Sequence, residues 1–273
     1  MRKQFEFLRD NNYTVVPLQS IVDKLNQNET LPEKWIALTI DDGYKSFLNA
    51  LPIFEEFGYV FTMFVYVEAA EKNYPDFLNW EELKELEKRG GTLAFHSYSH
   101  SHQTKQSKDA LRADFKKGLE LYEKRVGSKS SFYSYPYGEF NDEVRNIAEE
   151  FGFSAILNQN IGAVSDKSSV YDLNRFALVG DENIKPFLRY KTLEAEWIEP
   201  KIYPSNSNIT KVEARVSGNI TKAKLYITDL GWRDIEVKDG LINYDVNKKL
   251  QKSRVRVILQ ADDKISTKIL VKD

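Results

Sequence analysis

Four amphipathic stretches in the first two-thirds of the chain each end on a glycine, and short apolar runs separate them. They are SFLNALPIFEEFG, closing on Gly58, WEELKELEKRG on Gly90, SKDALRADFKKGLELYEKRVG on Gly127, and NDEVRNIAEEFG on Gly152, with Asn141 as its cap. Apolar positions recur in them at helical spacing, and a terminal glycine readily takes the left-handed conformation that ends a helix. The intervening runs are YTVVPL (13–18), WIALTI (35–40), YVFTMFVYV (59–67), GTLAF (91–95) and SFYSY (131–135). They are short and mostly apolar, as strands covered on both faces must be. A helix between successive strands carries the chain back to the starting edge, so the strands run parallel. The pattern restricts this part to an α/β architecture with a mainly parallel sheet, open or closed into a barrel.

Around residue 195 the pattern changes. EPKIYPSNSN (199–208) is rich in Pro, Ser and Asn and reads as a linker or entry turn. Short alternating segments follow, from KVEARVSG and AKLYIT to KISTKILVKD, which predict a small antiparallel β-sandwich of immunoglobulin-like type. Trp232 is expected to pack inside it. The predicted domains are therefore 1–195 and 196–273. Charge divides the chain in the same way: residues 200–273 carry 15 Lys/Arg against 9 Asp/Glu, leaving 24 against 32 in the rest. The basic excess reads as solvated strand faces, and the total charge of -2 argues against a nucleic-acid binder. Without cysteine there is no disulfide, thiolate metal site or cysteine nucleophile. No segment approaches the roughly 20 apolar residues of a membrane span, and the N-terminal residues lack the apolar stretch of a signal peptide.

The candidate chemistry gathers at strand ends. All three histidines lie in AFHSYSHSH (94–102), directly after GTLAF. His96 and His100 are four apart, a spacing that places both imidazoles on one side of a helical turn and can present two nitrogens to a metal. A hydrolytic zinc site usually has three protein ligands and one open position, so a carboxylate is required. IALTIDDGYKSF supplies Asp41 and Asp42 at the end of another strand. Neighbouring side chains in extended backbone point to opposite sides, so the two aspartates divide the labour. At a third strand end, Tyr135-Pro136-Tyr137-Gly138 forms a turn that Pro136 stiffens, able to aim backbone N–H groups at a developing oxyanion. Ligands in α/β folds collect at this carboxyl-terminal edge.

LTIDDGYKSF, HSYSH and YPYG, in that order, resemble the first three motifs of the polysaccharide deacetylases, carbohydrate esterase family four, with its NodB-homology domain. FEFLRDNNYTVVPL and YPYG look most like the poly-N-acetylglucosamine deacetylase branch. The resemblance covers roughly residues 1–193. It implies a distorted (β/α) barrel of about seven strands. It also implies a divalent metal, most often zinc with cobalt or nickel as alternatives, held by Asp42, His96 and His100. Asp41 would be the general base, and the Tyr137 N–H would help hold the oxyanion. The substrate would be an N-acetylated glycan outside the cytoplasm. Two positions depart from the family pattern. Its third motif usually begins with an arginine that orients the base; here Ser134 stands there, and Arg175 in DLNRFAL is the candidate replacement. The family's late general-acid histidine has no counterpart after His102, which leaves Asp41, His102 or a water to protonate the leaving amine. Tyr44, Tyr98, Tyr135, Pro136 and Tyr137 are candidates for a sugar-binding groove. Two other functions share these residues: an amidohydrolase for a small non-sugar amide, and a catalytically weak glycan-binding protein. An open groove favours a glycan and a closed pocket a small amide.

Overall fold

A computed structural model describes residues 1–180 and 182–272, which form two compact units. The first comprises Met1–Asn158, Asp166–Leu173 and Leu178–Asn183; the second comprises Gln159–Ser165, Asn174–Ala177 and the chain from Ile184 onward. No helix among the described residues is long and apolar enough to cross a membrane.

The α/β part runs α1 (Arg2–Asp10), β1 (Thr14–Val15), α2 (Leu18–Asn26), β2 (Trp35–Ile36), β3 (Thr39–Ile40), α3 (Leu51–Phe57), β4 (Phe61–Val65) and α4 (Val67–Glu71). It continues with α5 (Trp80–Lys88), β5 (Gly91–Phe95), α6 (Lys108–Val126), β6 (Phe132–Ser134), α7 (Asp142–Glu150), β7 (Ala155–Ile161) and β8 (Leu173–Arg175). Strands β3 to β8 form one six-stranded sheet in chain order, curled into a half-barrel, and β3 to β7 pair in parallel. The main sheet holds six strands against about seven expected, because YTVVPL (β1) pairs outside it with the first half of WIALTI. That half, β2, pairs in parallel with β1, and the second half, β3, pairs with β4.

The helices follow their sequence signals. Asn79 and Glu82 close a capping box on α5, Ser107 caps α6, and Asn141 caps α7. The helix before Gly58 comes in two pieces, a 3₁₀ turn at Lys45–Asn49 and then α3. Pro52, in the first turn of α3, has no amide to extend the preceding turn. Strand β4 is buried at every position, as a strand covered on both faces must be. Phe5, Phe47 and Phe61 each pack edge to face with Phe54 in one aromatic cluster, and Phe95, Phe115, Tyr133 and Phe153 form another.

The later strands are β9 (Lys191–Thr192), β10 (Ala195–Glu199), β11 (Asn208–Val216), β12 (Lys222–Ile227), β13 (Gly231–Glu236), β14 (Leu241–Lys249), β15 (Arg254–Ala261) and β16 (Lys264–Val271). They form two sheets, ordered β10-β11-β14 and β13-β12-β15-β16-β9. Val212, Ala214 and Ile242 from the first sheet share one buried cluster with Leu225, Ile227, Val257 and Leu259 from the second. One edge corrects the all-antiparallel expectation, since β9 pairs in parallel with β16. Trp232 also differs from its expected packed position. It lies on β13, which pairs only with β12, and is 44% exposed with its ring against Tyr226.

Candidate functional site

Strand β3 ends at Ile40, and the chain turns at once. Asp42 and Gly43 both take left-handed backbone, with φ of 72° and 79°, and the Gly43 N–H donates to the Asp41 carbonyl at 2.9 Å. The Asp42 carbonyl accepts the Tyr66 N–H at 3.4 Å, which ties this turn to the end of β4. The same edge carries the histidines. The His96 N–H donates to the Val65 carbonyl at 3.0 Å and so prolongs the β4–β5 ladder. Beyond it the chain forms no helical turn. Ser97 and His100 have φ of 67° and 48°, and the Ser97 hydroxyl accepts the His100 N–H at 2.9 Å. The four-residue spacing therefore works through a looped segment that folds back on itself.

This loop carries both imidazoles to Asp42. His96 Nε2 lies 3.2 Å from Asp42 Oδ1, and His100 Nε2 lies 2.9 Å from it. One ligand atom from each residue falls within a 4.8 Å group, the one group of this kind among the described residues. Ligands held about 2.0–2.1 Å from a tetrahedral zinc lie about 3.3–3.4 Å apart, close to these separations. Two further features suit a cation. Asp42 Oδ1 is buried and has no hydrogen-bond partner, so its close approaches to the imidazoles are convergence without hydrogen bonding. His96 Nδ1 lies 2.7 Å from the Ser134 carbonyl, which can only accept. The ring proton is therefore on Nδ1, and Nε2 faces Asp42 with its lone pair. Two imidazole nitrogens and a carboxylate oxygen form a donor set suited to zinc and its neighbours. Burial alone would raise the Asp42 carboxyl; when no cation is bound and the imidazoles carry a proton in its place, His100 and then His96 outweigh burial and hold the group well below the usual carboxylate range.

The other predicted residues are placed unevenly. Tyr137 has φ of 59° in the Pro136–Gly138 turn, and its ring packs edge-on against His100 at 4.6 Å. Its hydroxyl donates to the His100 carbonyl at 3.3 Å, and its ring stacks on His102 at 4.3 Å. Tyr44 stacks on Phe77 at 4.4 Å and stays 46% exposed. Tyr135 and Pro136 instead point inward. The Tyr135 N–H continues the ladder to the Leu157 carbonyl, and its ring is buried between Tyr133 and Phe140. Those two residues shape the turn from below and have no surface to offer a sugar. Asp41 is half-buried and engaged with neighbours, and Arg175 ends β8, also half-buried and engaged. Two participants carried no sequence signal. One is the Ser134 carbonyl, a backbone atom any residue supplies. The other is Glu139, buried just after the turn, whose Oε2 lies 2.7 Å from His102 Nδ1.

Residues 28–156 match the family model described as polysaccharide deacetylase. A relative from Bacillus subtilis (strain 168), YxkH, whose name assigns it to the polysaccharide deacetylases, is 28% identical over 182 residues, covering 64% of this chain. The poly-beta-1,6-N-acetyl-D-glucosamine N-deacetylase of Escherichia coli (strain K12) is 23% identical over 233 residues, covering 68% of this chain. The aligned region spans 63% of the first relative and 34% of the second. Among solved structures, the Streptococcus pyogenes deacetylase PplD in complex with acetate superposes with a TM-score of 0.62 at 23% identity, covering 66% of this chain and 80% of that one. IcaB from Ammonifex degensii gives 0.58 at 23% identity, covering 66% and 84%. At that level of identity these structures establish the shared fold.

Proposed function

Starting from a chain that carries a polysaccharide deacetylase domain, we propose that it is a metal-dependent N-deacetylase acting on a glycan that contains N-acetylhexosamine. The observation that carries this reading is the convergence of Asp42 Oδ1 with the Nε2 atoms of His96 and His100, with the His96 proton committed to the Ser134 carbonyl. Those three side chains would hold the ion, zinc first and cobalt or nickel as substitutes. A divalent cation there supplies Lewis acidity, which polarises an acetamide carbonyl and acidifies a water. Asp41 would take a proton from the attacking water, and the Tyr137 N–H would donate to the carbonyl oxygen as it gains charge. When the C–N bond breaks, Asp41 returns the proton to the amine, so one water and one acetamide give acetate and a free amino sugar. Tyr44 and Tyr137, the exposed aromatics of the motifs, are the surfaces for a sugar ring. The name of the Escherichia coli relative supports a β-1,6-linked N-acetylglucosamine polymer as substrate, and such a polymer implies action outside the cytoplasm. We assign this chemistry to residues 1–195 and treat 196–273 as a separate β domain.

The test is acetate release from N-acetylglucosamine oligomers by three samples: protein stripped of metal, protein reloaded with zinc or cobalt, and reloaded Asp41→Asn. Release that needs metal and is lost in Asp41→Asn is expected. Tight metal binding without release would overturn the glycan assignment and favour a small amide.

A further inference from the structure

The loop between His96 and His100 holds two non-glycine residues in left-handed backbone, a conformation that residues with a Cβ adopt at a cost. Its backbone hydrogen bonds show what maintains it. The Ser97 and Tyr98 carbonyls accept the Val67 and Glu68 N–H groups at 3.2 and 3.0 Å, both from the first turn of α4. The Tyr98 and Ser99 N–H groups donate to the two oxygens of one carboxylate, Asp114, each at 3.0 Å. Asp114 sits on α6 and is 8% exposed. A buried carboxylate is costly unless hydrogen-bonded, and here each oxygen receives a backbone donor from the middle of the ligand loop.

The surface of α6 is cut to allow this approach. At Gly118, one turn beyond Asp114, an added Cβ would lie 2.7 Å from the Phe95 ring and 3.1 Å from the Tyr98 Cβ. Lys117 Nζ lies 3.8 Å over the centre of the Tyr98 ring. Asp114, Lys117 and Gly118 thus all meet residues just before or within the segment that separates the two imidazoles.

We infer that Asp114 is a positioning residue: from α6 it fixes the loop pitch that brings His96 Nε2 and His100 Nε2 to the same carboxylate oxygen. The inference rests on the metal reading proposed above. Asparagine cannot replace it, because its single acceptor serves one N–H while its NH₂ faces the other. Partners that orient metal ligands typically contribute about 10–100-fold in metal affinity when removed.

The full-length protein tests this with Asp114→Asn, Asp114→Glu and a control, Tyr122→Leu. Tyr122 is buried about two turns further along α6, against Trp80, away from the loop. Two quantities are measured: Co²⁺ affinity by chelator competition, and amide hydrogen exchange at Tyr98 and Ser99 in metal-free protein. Asp114→Asn is expected to bind Co²⁺ about 10–100-fold more weakly and to exchange those two amides faster. Asp114→Glu, one methylene too long, is expected to fall between it and wild type and serves if the asparagine variant does not fold. Tyr122→Leu is expected to lower Tm and leave both readouts at wild-type values. Wild-type affinity and exchange in both Asp114 variants would overturn the inference. So would an equal loss of affinity in Asp114→Asn and Tyr122→Leu at equal Tm, because Asp114 would then act through global stability alone. A wild-type protein that binds no Co²⁺ overturns the metal reading instead, while faster exchange in Asp114→Asn would still support the clamp on the loop.

Discussion

The two units bury very different side chains. Around the histidine loop, the first unit buries His96, Ser97, Asp114, Ser134 and Glu139. In the second, the buried polar side chains among the described residues are Asn160 and Thr267, and the cluster shared by its two sheets is apolar, aliphatic but for Tyr203. Each buried polar group costs free energy unless it is paired, so a fold selected for stability alone would not concentrate them at one sheet edge. Departures from the simple apolar core mark the place where chemistry is built, and a core that keeps the rule is packing. The contrast predicts that substitutions in the first region cost activity far more than stability, and that substitutions in the second do the reverse.

The strongest challenge is Asp41→Asn. Loss of a general base typically lowers turnover about 10²–10⁴-fold. Because one carboxylate oxygen becomes an amide in a half-buried turn, Tm and Co²⁺ affinity should stay near wild type. Assays of kcat, chelator competition and thermal unfolding on one preparation would check this. A variant that loses turnover only in proportion to lost folding would erase the contrast at its sharpest point.

This division was partly legible in the sequence. Asp42, His96 and His100 could be gathered because each follows an apolar run, and parallel strands bring their carboxyl ends to one edge. The path between the two histidines was not legible. Ser97 and His100 take left-handed backbone without being glycine or asparagine, and the partners that hold them there, α4 and Asp114, are contacts made by the tertiary fold. The same holds for YPY, where three aromatic or rigid residues in a row give no sign of which ring faces out. The ladder bond from Tyr135 to Leu157 decides it, turning Tyr135 in and leaving Tyr137 exposed. WIALTI read as one strand because its apolar pattern is unbroken, and only its partners reveal that its halves belong to different sheets.

The second region offers the converse experiment. Leu225 is fully buried in the aliphatic cluster, and Leu225→Ala removes side-chain volume that its neighbours cannot refill. Such substitutions cost about 2–5 kcal/mol, which denaturant unfolding would read directly. Metal affinity and turnover of the protein that remains folded are expected to be unchanged. A parallel loss of metal affinity would show that the two units are not energetically separable.

Acid should sharpen the distinction by a smaller increment. A cation held at the proposed site would compete with protons for the imidazoles of His96 and His100, so its affinity is expected to fall as pH is lowered. Burial alone would raise the Asp42 carboxyl, but His100 and His96 together hold it well below the usual range, so it stays ionised and adds no competing proton. As the pH is lowered, Kd for Co²⁺ is expected to rise by up to about tenfold per pH unit for each proton displaced. Affinity that is flat between neutral and mildly acidic pH would mean that the ion is held without the histidines.

The finest comparison sets one exposed aromatic against another. Tyr44 and Trp232 are 46% and 44% exposed, and each ring leans on a neighbouring aromatic, Phe77 and Tyr226 respectively. Geometry alone would make either a platform for a sugar ring. Tyr44 follows the Asp-Asp-Gly turn two residues after Asp42, whereas Trp232 lies on the edge strand β13 of the second unit. Aromatic stacking contributes about 0.5–1.5 kcal/mol beyond area burial. Tyr44→Ala is therefore expected to raise KM for N-acetylglucosamine oligomers by a factor of about 2–10 with little change in kcat. Trp232→Ala should leave both constants unchanged. The reverse result, with KM responding only at Trp232, would move substrate binding to the β domain and leave the half-barrel edge with the chemistry alone.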